Sequence, residues 1–220
     1  MVETCPLCQR QQTHPLYHDR FRSYLRCQNC DLIFVSRGDL LSPEEEKARY
    51  DLHQNSPDDV GYRQFLSSFM NPMIKRIGPP PLDGLDFGSG PCPVLSMMLK
   101  EEGYSMSLYD VFYAPQTDVL AREYDFVTCT ETIEHFINPQ KEWSLLLRLV
   151  KLGGWLGIMT QLVQEDRYFP EMHYINDRTH VSFFSRETFQ FLAERDGLHL
   201  EFEGDNLIFF RKMSPQISHD

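Results

Sequence analysis

The sequence contains no run approaching the roughly 18 uninterrupted apolar residues of a membrane span. It opens Met-Val-Glu-Thr-Cys rather than with a basic segment followed by an apolar one, so we expect a soluble protein that is not exported. A basic excess is also missing, since the net charge is -11. The first 39 residues place Arg10, Arg20, Arg22, Arg26 and Arg37 against only four acids, and the remainder is strongly acidic. Nucleic-acid binding draws much of its affinity from Lys and Arg neutralising phosphates, so a polyanionic partner is disfavoured. Beyond residue 30 cysteine is scarce: Cys92 and Cys129 stand singly in apolar segments. That distribution excludes a secreted disulfide framework and points to a reducing, cytoplasmic compartment. At 220 residues there is no room for two large domains. Apolar residues, by contrast, are plentiful at 41%, with 16 Phe and 10 Tyr. A packed core is affordable, and a disordered chain is excluded.

The remaining four cysteines form Cys5-Pro6-Leu7-Cys8 and Cys27-Gln28-Asn29-Cys30, two C-x2-C pairs separated by 18 residues. Two intervening residues let one tight turn aim both sulfurs at a single ion, and two such turns complete a tetrahedron. Tyr24 to Arg26 leads into the second pair and Asp31 to Ser36 leaves it, both extended. We therefore expect a zinc ribbon over residues 1–40 with Cys5, Cys8, Cys27 and Cys30 as metal ligands. So short a segment cannot stabilise itself by core burial, so the zinc has a structural role. A ribbon of this kind also offers a surface to a protein partner.

A connector over 41–81 follows. Ser42 and Glu45 have capping-box spacing with Pro43 in the first turn, which predicts a helix to about His53. Phe65, Phe69, Met73 and Ile77 predict a second, from Tyr62 to Ile77, stopped by Gly78 and three prolines. The polar stretch between them is either a solvated loop or a lid that uses Tyr50, His53, Asn55 and Tyr62.

Residues 82–213 alternate strand and helix, with 214–220 as a tail. Leu85-Asp86-Phe87-Gly88-Ser89-Gly90 is a strand that turns on glycines into the helix beginning near Val94. In doubly wound α/β folds such loops bind ligands at the carboxyl ends of strands, and glycine permits close backbone approach. A second short strand ends in Asp110, 20 residues beyond Gly90, where a carboxylate can accept from both ribose hydroxyls. Further strands are expected at Tyr124–Cys129 and Trp155–Thr160, helices at 138–150 and 185–195, and a closing hairpin at Leu198–Glu203 and Asn206–Arg211. The fold class is thus α/β, a doubly wound, mostly parallel sheet with a terminal antiparallel hairpin.

These motifs, in this order, resemble a class I S-adenosylmethionine-dependent methyltransferase: the glycine loop, Asp110, Tyr124-Asp125-Phe126-Val127, and Leu152-Gly153-Gly154-Trp155-Leu156. The resemblance implies a seven-stranded type of sheet, and S-adenosylmethionine held at Asp86, Gly88, Ser89, Gly90, Asp110 and Thr130. Two departures stand out. Cys92 occupies the family's third glycine position between Pro91 and Pro93, and only 14 residues separate Asp110 from Asp125, so the third strand must be trimmed.

In that family the fourth and fifth strands are neighbours, and the loops after them open where the methyl group is presented. Here those loops carry Glu131, Glu134 and His135, then His173 and His180, which are the catalytic candidates. Glu-x-x-Glu-His resembles the motif of ubiquinone-biosynthesis O-methyltransferases and of small-RNA terminal 2′-O-methyltransferases. The resemblance implies a second divalent cation at Glu131, Glu134, His135 and His180, a donor set suited to magnesium, manganese or zinc. Without metal, His135 suits a general base. The third reading is that Glu134 and His135 only fix the loop. Tyr168, Phe169, Tyr174, Phe183 and Phe184 indicate an apolar or planar acceptor in a connection too long for a mere linker, with some of them expected in the core. The expected activity is methyl transfer to oxygen or carbon of a small molecule. The alternatives are a zinc-bearing ribosomal RNA methyltransferase, which the acidic charge opposes, and a non-catalytic adaptor.

Overall fold

A computed structural model describes residues 3–52 and 55–213. In chain order the strands and helices are β1 (Thr13–His18), β2 (Ser23–Cys27), β3 (Ile33–Val35), α1 (Pro43–Tyr50), α2 (Val60–Ile77), β4 (Asp83–Phe87), α3 (Val94–Glu101), β5 (Ser105–Tyr109), β6 (Tyr124–Thr130), α4 (Pro139–Leu149), β7 (Val150–Met159), β8 (Ser182–Phe183), α5 (Arg186–Asp196), β9 (Leu198–Glu203) and β10 (Leu207–Lys212). The described residues fall into two compact units. One lies within Met1–Gln54, Glu131–Ser144 and Thr160–Leu192, the other within Asn55–Thr130, Leu145–Met159 and Ala193–Asp220. Among the described residues no helix is long and apolar enough to cross a membrane.

The second unit holds a six-stranded sheet in the order β5-β4-β6-β7-β10-β9. Strands β4, β5, β6 and β7 run parallel, and β10 joins them antiparallel between β7 and β9. The mostly parallel sheet with a terminal hairpin is as expected from the sequence. Between β5 and β6 the chain makes only the single-turn helix Thr117–Ala121. Fourteen residues cannot supply a strand and its crossover, so the family's third strand is missing from this sheet. Helix α2 buries Leu66, Phe69, Met70 and Met73 against it. At Gly157 of β7 a Cβ would stand 2.8 Å from Met73 Sδ and from the Phe69 ring, so glycine lets the helix settle on the strand. Phe69, fully buried, stacks on Phe209 at 5.8 Å, and truncating such a ring typically costs about 3–5 kcal/mol.

Three boundaries differ from expectation, the first being α1, which ends at Tyr50 rather than near His53. Strand β7 begins at Val150, not Trp155, because its register with β6 jumps from Tyr124↔Val150 to Phe126↔Trp155 and residues 151–154 bulge out of the ladder. Helix α2 begins at Val60 rather than Tyr62 because Asp59 caps it, accepting from the Tyr62 amide at 3.0 Å. The capping box at α1 is present, with Ser42 and Glu45 exchanging both bonds. His53 of the suggested lid, and the tail 214–220, lie outside the described residues.

The first unit carries the four cysteines on an antiparallel sheet in the order β1-β2-β3-β8. Its last strand comes from the far end of the chain: Ile33 pairs with Phe183, Phe34 with Ser182, and the Val35 amide donates to the Val181 carbonyl at 2.9 Å. The unit therefore extends beyond the 1–40 segment marked off in the sequence. Tyr24, Ile33, Phe169, Ile175 and Phe183 form its core, with the Tyr24 and Phe169 rings edge to face at 5.2 Å. Phe169, Phe183 and Phe184 are at most 1% exposed. Of the aromatics singled out in the 168–184 stretch, these three are the ones that supply core, and their apolar area holds this unit together.

Candidate functional site

In the second unit the turn after β4 places Gly88 and Gly90 at φ of 79° and 63°, conformations open to glycine at little cost. The amides of Gly88 and Ser89 donate to the Tyr109 carbonyl at the end of β5, at 2.8 and 3.2 Å. Asp110 completes this latch. Its Oδ2 accepts from the Gly90 amide at 2.9 Å, and its Oδ1 from Phe112 and Tyr113 at 2.8 and 3.0 Å. A carboxylate oxygen can take more than one donor, so this carboxylate can still receive a ligand hydroxyl. Nothing within 4 Å would meet a Cβ on Gly90, and the buried Ser89 Oγ has no hydrogen-bond partner. Open space, an orphaned hydroxyl and a fixed acid beside glycines suit a polar nucleoside such as that of S-adenosylmethionine.

Asp86 lies beneath this loop. It is 3% exposed and accepts from Thr128 Oγ1 at 2.8 Å and Ser96 Oγ at 3.0 Å, joining β4 to β6 and α3. Burial pushes its pKa up. Thr130 ends β6 opposite Met159. Cys92, at the third glycine position, packs against the apolar core.

In the first unit the four cysteine sulfurs lie within 4.8 Å of one another. Each pair closes with the same turn. The Gln9 amide donates to Cys5 O at 3.0 Å and the Asp31 amide to Cys27 O at 2.9 Å, with both residues at positive φ. Four thiols this close cannot all ionise unaided. Hydrogen bonding from Cys30 and from Cys5 favours the Cys27 thiolate, and donating to Cys27 pushes the Cys5 and Cys30 thiols up. A divalent ion would relieve that conflict, and a four-thiolate set suits zinc.

The same unit gathers a second cluster from the loop after β6 and the loop after β7. Glu134, His135 and His180 each offer a ligand atom, all within 4.8 Å of one another. His135 Nδ1 bonds the Thr179 carbonyl at 3.1 Å, and His180 Nδ1 bonds the Tyr174 carbonyl at 2.7 Å. A carbonyl can only accept, so each Nδ1 carries a proton. The two rings meet edge on at 4.7 Å, and the Tyr50 ring backs His135 at 5.1 Å. Thr179 is fixed by Asp177, which accepts from its amide at 2.8 Å and its hydroxyl at 2.7 Å. Burial works to raise Asp177, yet these donors and the nearby imidazoles hold it below the usual carboxylate range.

Glu134 is 1% exposed and accepts from Thr160 Oγ1 at 3.0 Å and Tyr174 OH at 2.5 Å. Burial pushes its carboxyl up to about 8, and the charge of Glu131 acts in the same direction. Glu131 accepts from the same Tyr174 hydroxyl at 2.7 Å, and desolvation raises its pKa as well. Its φ of 49° is a strained conformation for a residue with a side chain. His173, one of the catalytic candidates, is exposed and bonds Asn176 instead; it is not part of the trio. Two residues that the sequence did not single out for the chemistry are Thr160 and the hydroxyl of Tyr174. Tyr174 was noted as an aromatic, but its bridging of two carboxylates depends on contacts some 40 residues apart.

A parallel sheet closed by an antiparallel hairpin, with a glycine loop latched to an acid after the next strand, defines a Rossmann-like methyltransferase. Residues 62–201 match the methyltransferase domain family, and the chain belongs to it. It is 31% identical over 77 residues to the ubiquinone biosynthesis O-methyltransferase of Pseudomonas savastanoi pv. phaseolicola, 35% of this chain and 33% of that one. The enzyme of the same name from Erwinia tasmaniensis is 34% identical over 71 residues, 32% of this chain and 29% of its own. The chain thus spans about a third of the length of these curated relatives. Among solved structures, the 1,6-didemethyltoxoflavin-N1-methyltransferase of Burkholderia thailandensis, bound to 1,6-didemethyltoxoflavin and S-adenosylhomocysteine, superposes with a TM-score of 0.56. It does so at 13% identity, over 91% of this chain and 100% of that one. An O-methyltransferase family protein from the same organism gives 0.51 at 13% identity, over 78% of this chain and 64% of that one.

Proposed function

We propose that this protein transfers a methyl group from S-adenosylmethionine to the oxygen of a small-molecule acceptor. One observation carries the choice of oxygen. His135 and His180 each give Nδ1 to a backbone carbonyl, and both imidazoles share one position with Glu134. A hydroxyl is a poor nucleophile until its proton is removed, and this arrangement supplies proton acceptors at one point. Glu134, His135 and His180 would hold a divalent cation, which when bound supplies Lewis acidity that lowers the pKa of an acceptor hydroxyl. Thr160 and Tyr174 orient the Glu134 carboxylate, and Asp177 orients the carbonyl that orients His135. Gly88 to Gly90 and Asp110 hold the nucleoside, with Asp110 accepting from the ribose.

The four cysteines hold a structural zinc. Relatives named for ubiquinone biosynthesis O-methylation agree with an oxygen acceptor. The charge of -11 disfavours RNA as that acceptor. The test has two parts. Calorimetric titration of S-adenosylhomocysteine into the full chain should show one site; no binding would sink the assignment. Transfer of labelled methyl from S-adenosylmethionine to a panel of phenols, hydroxy acids and amines should then favour the hydroxylated members, and modification of amines alone would move the reaction to nitrogen.

A further inference from the structure

Arg22 sits at the turn between β1 and β2, within the cysteine-bearing sheet, and is 1% exposed. An arginine this deep is expected to be paired with a carboxylate, and Asp19 Oδ2 lies within ion-pair distance, 3.6 Å from Nε. Asp19 is itself committed to the amides of Phe21 and Arg22 and to the Tyr24 hydroxyl. The guanidinium spends its donors elsewhere. Nη1 donates to the carbonyls of His180 at 2.9 Å and Asp177 at 3.2 Å, and Nη2 donates to the carbonyl of Ile175. All three belong to the loop that carries His180, more than 150 positions away.

The carbonyls that Arg22 holds lie on the same seven-residue stretch as the ones the imidazoles use. Residues 175, 177 and 180 bond Arg22, while Tyr174 accepts from His180 and Thr179 accepts from His135. Fixing the first set limits where the second can lie, because Tyr174 and Thr179 are the chain neighbours of the anchored Ile175 and His180. A planar guanidinium presents its donors in a rigid fork, which lysine cannot reproduce. We propose that Arg22 is a positioning residue: it anchors the 174–180 loop so that the Tyr174 and Thr179 carbonyls hold the His180 and His135 rings by Nδ1 beside Glu134. The cysteine sheet is then the scaffold of the catalytic loop rather than an appendage. The pairing of β3 with β8, just beyond His180, supports the same loop from its other end.

The inference rests on the reading of Glu134, His135 and His180 as the reactive cluster, so its test is made without acceptor or added cation. The full chain, labelled with nitrogen-15 in histidine, is chelated briefly, and elemental analysis checks that the four-cysteine zinc remains. Two-bond proton–nitrogen spectra then report each imidazole tautomer. In the native sequence His135 and His180 should both be Nδ1-protonated. In Arg22→Met both signals should move toward the tautomer average, with zinc content and S-adenosylhomocysteine affinity unchanged. On an identified acceptor kcat should fall about 10- to 100-fold, the usual cost of losing a group that orients a ligand, with KM for S-adenosylmethionine held. If Arg22→Met loses its zinc, Arg22→Lys decides: it keeps the cation but not the fork, and its tautomers should shift part of the way. Unchanged tautomers in the folded variant overturn the proposal. An active His180→Ala enzyme would instead remove the reading of the cluster and leave the Arg22 result standing.

Discussion

Replacing Asp110 with asparagine separates the two roles the structure gives this residue. In Asp110→Asn the retained Oδ1 still accepts from Phe112 and Tyr113, while the new side-chain NH2 faces the Gly90 amide. One hydrogen bond to a charged acceptor is lost, worth about 1.5–3 kcal/mol, and a partly buried amide is left facing a donor, which adds about 1 kcal/mol. Denaturant melts should therefore show a loss of roughly 2.5–4 kcal/mol. A bound ribose loses an acceptor of its own at the same oxygen. By the same scale this weakens binding about ten- to a hundredfold, since each 1.4 kcal/mol is a factor of about ten. Calorimetry with S-adenosylhomocysteine and melts on the same preparations measure both. Unchanged affinity in a destabilised variant would leave Asp110 as a loop latch with no ligand role; unchanged stability would refute the latch.

Purified protein should carry one tightly held zinc. Cys27→Ser should lose it and broaden the amide signals of β1, β2, β3 and β8 together; elemental analysis finding no zinc in unchelated native protein would refute the site. Glu134→Gln should change the pH dependence of stability. Glu134 in the folded protein is raised to about 8 from 4.5, so the folded state binds the proton more tightly. Its contribution is therefore full below about pH 4.5 and fades as pH climbs through 8. Cation-free native protein should lose stability relative to Glu134→Gln across that window, by a few kcal/mol at most, and parallel melting curves would contradict the burial argument. His135→Ala should leave S-adenosylhomocysteine affinity nearly unchanged and lower turnover by about 10² or more; full activity on an identified acceptor would remove His135 from the mechanism.

Much of this architecture is written locally. A C-x2-C turn, a capping box and a glycine-rich strand-to-helix loop each involve residues within about four positions of one another, so backbone sterics and single hydrogen bonds specify them wherever they occur. Cys5, Cys8, Cys27, Cys30, Ser42, Gly88 and Gly90 were legible for that reason, as was the alternation of strand and helix from Asp83 to Lys212. The absence of a third strand followed from counting residues. The tertiary structure alone decided which histidine joins the cluster. His173 and His180 look alike in the sequence, but only His180 is followed by a segment that pairs with β3, and that pairing turns it inward beside Glu134. The same holds for Tyr174, whose hydroxyl serves two carboxylates, for Phe169 and Phe183, taken up by the core, and for Arg22, one arginine among five near the N-terminus. Such roles depend on contacts between residues 40 to 158 positions apart, and no local pattern encodes them.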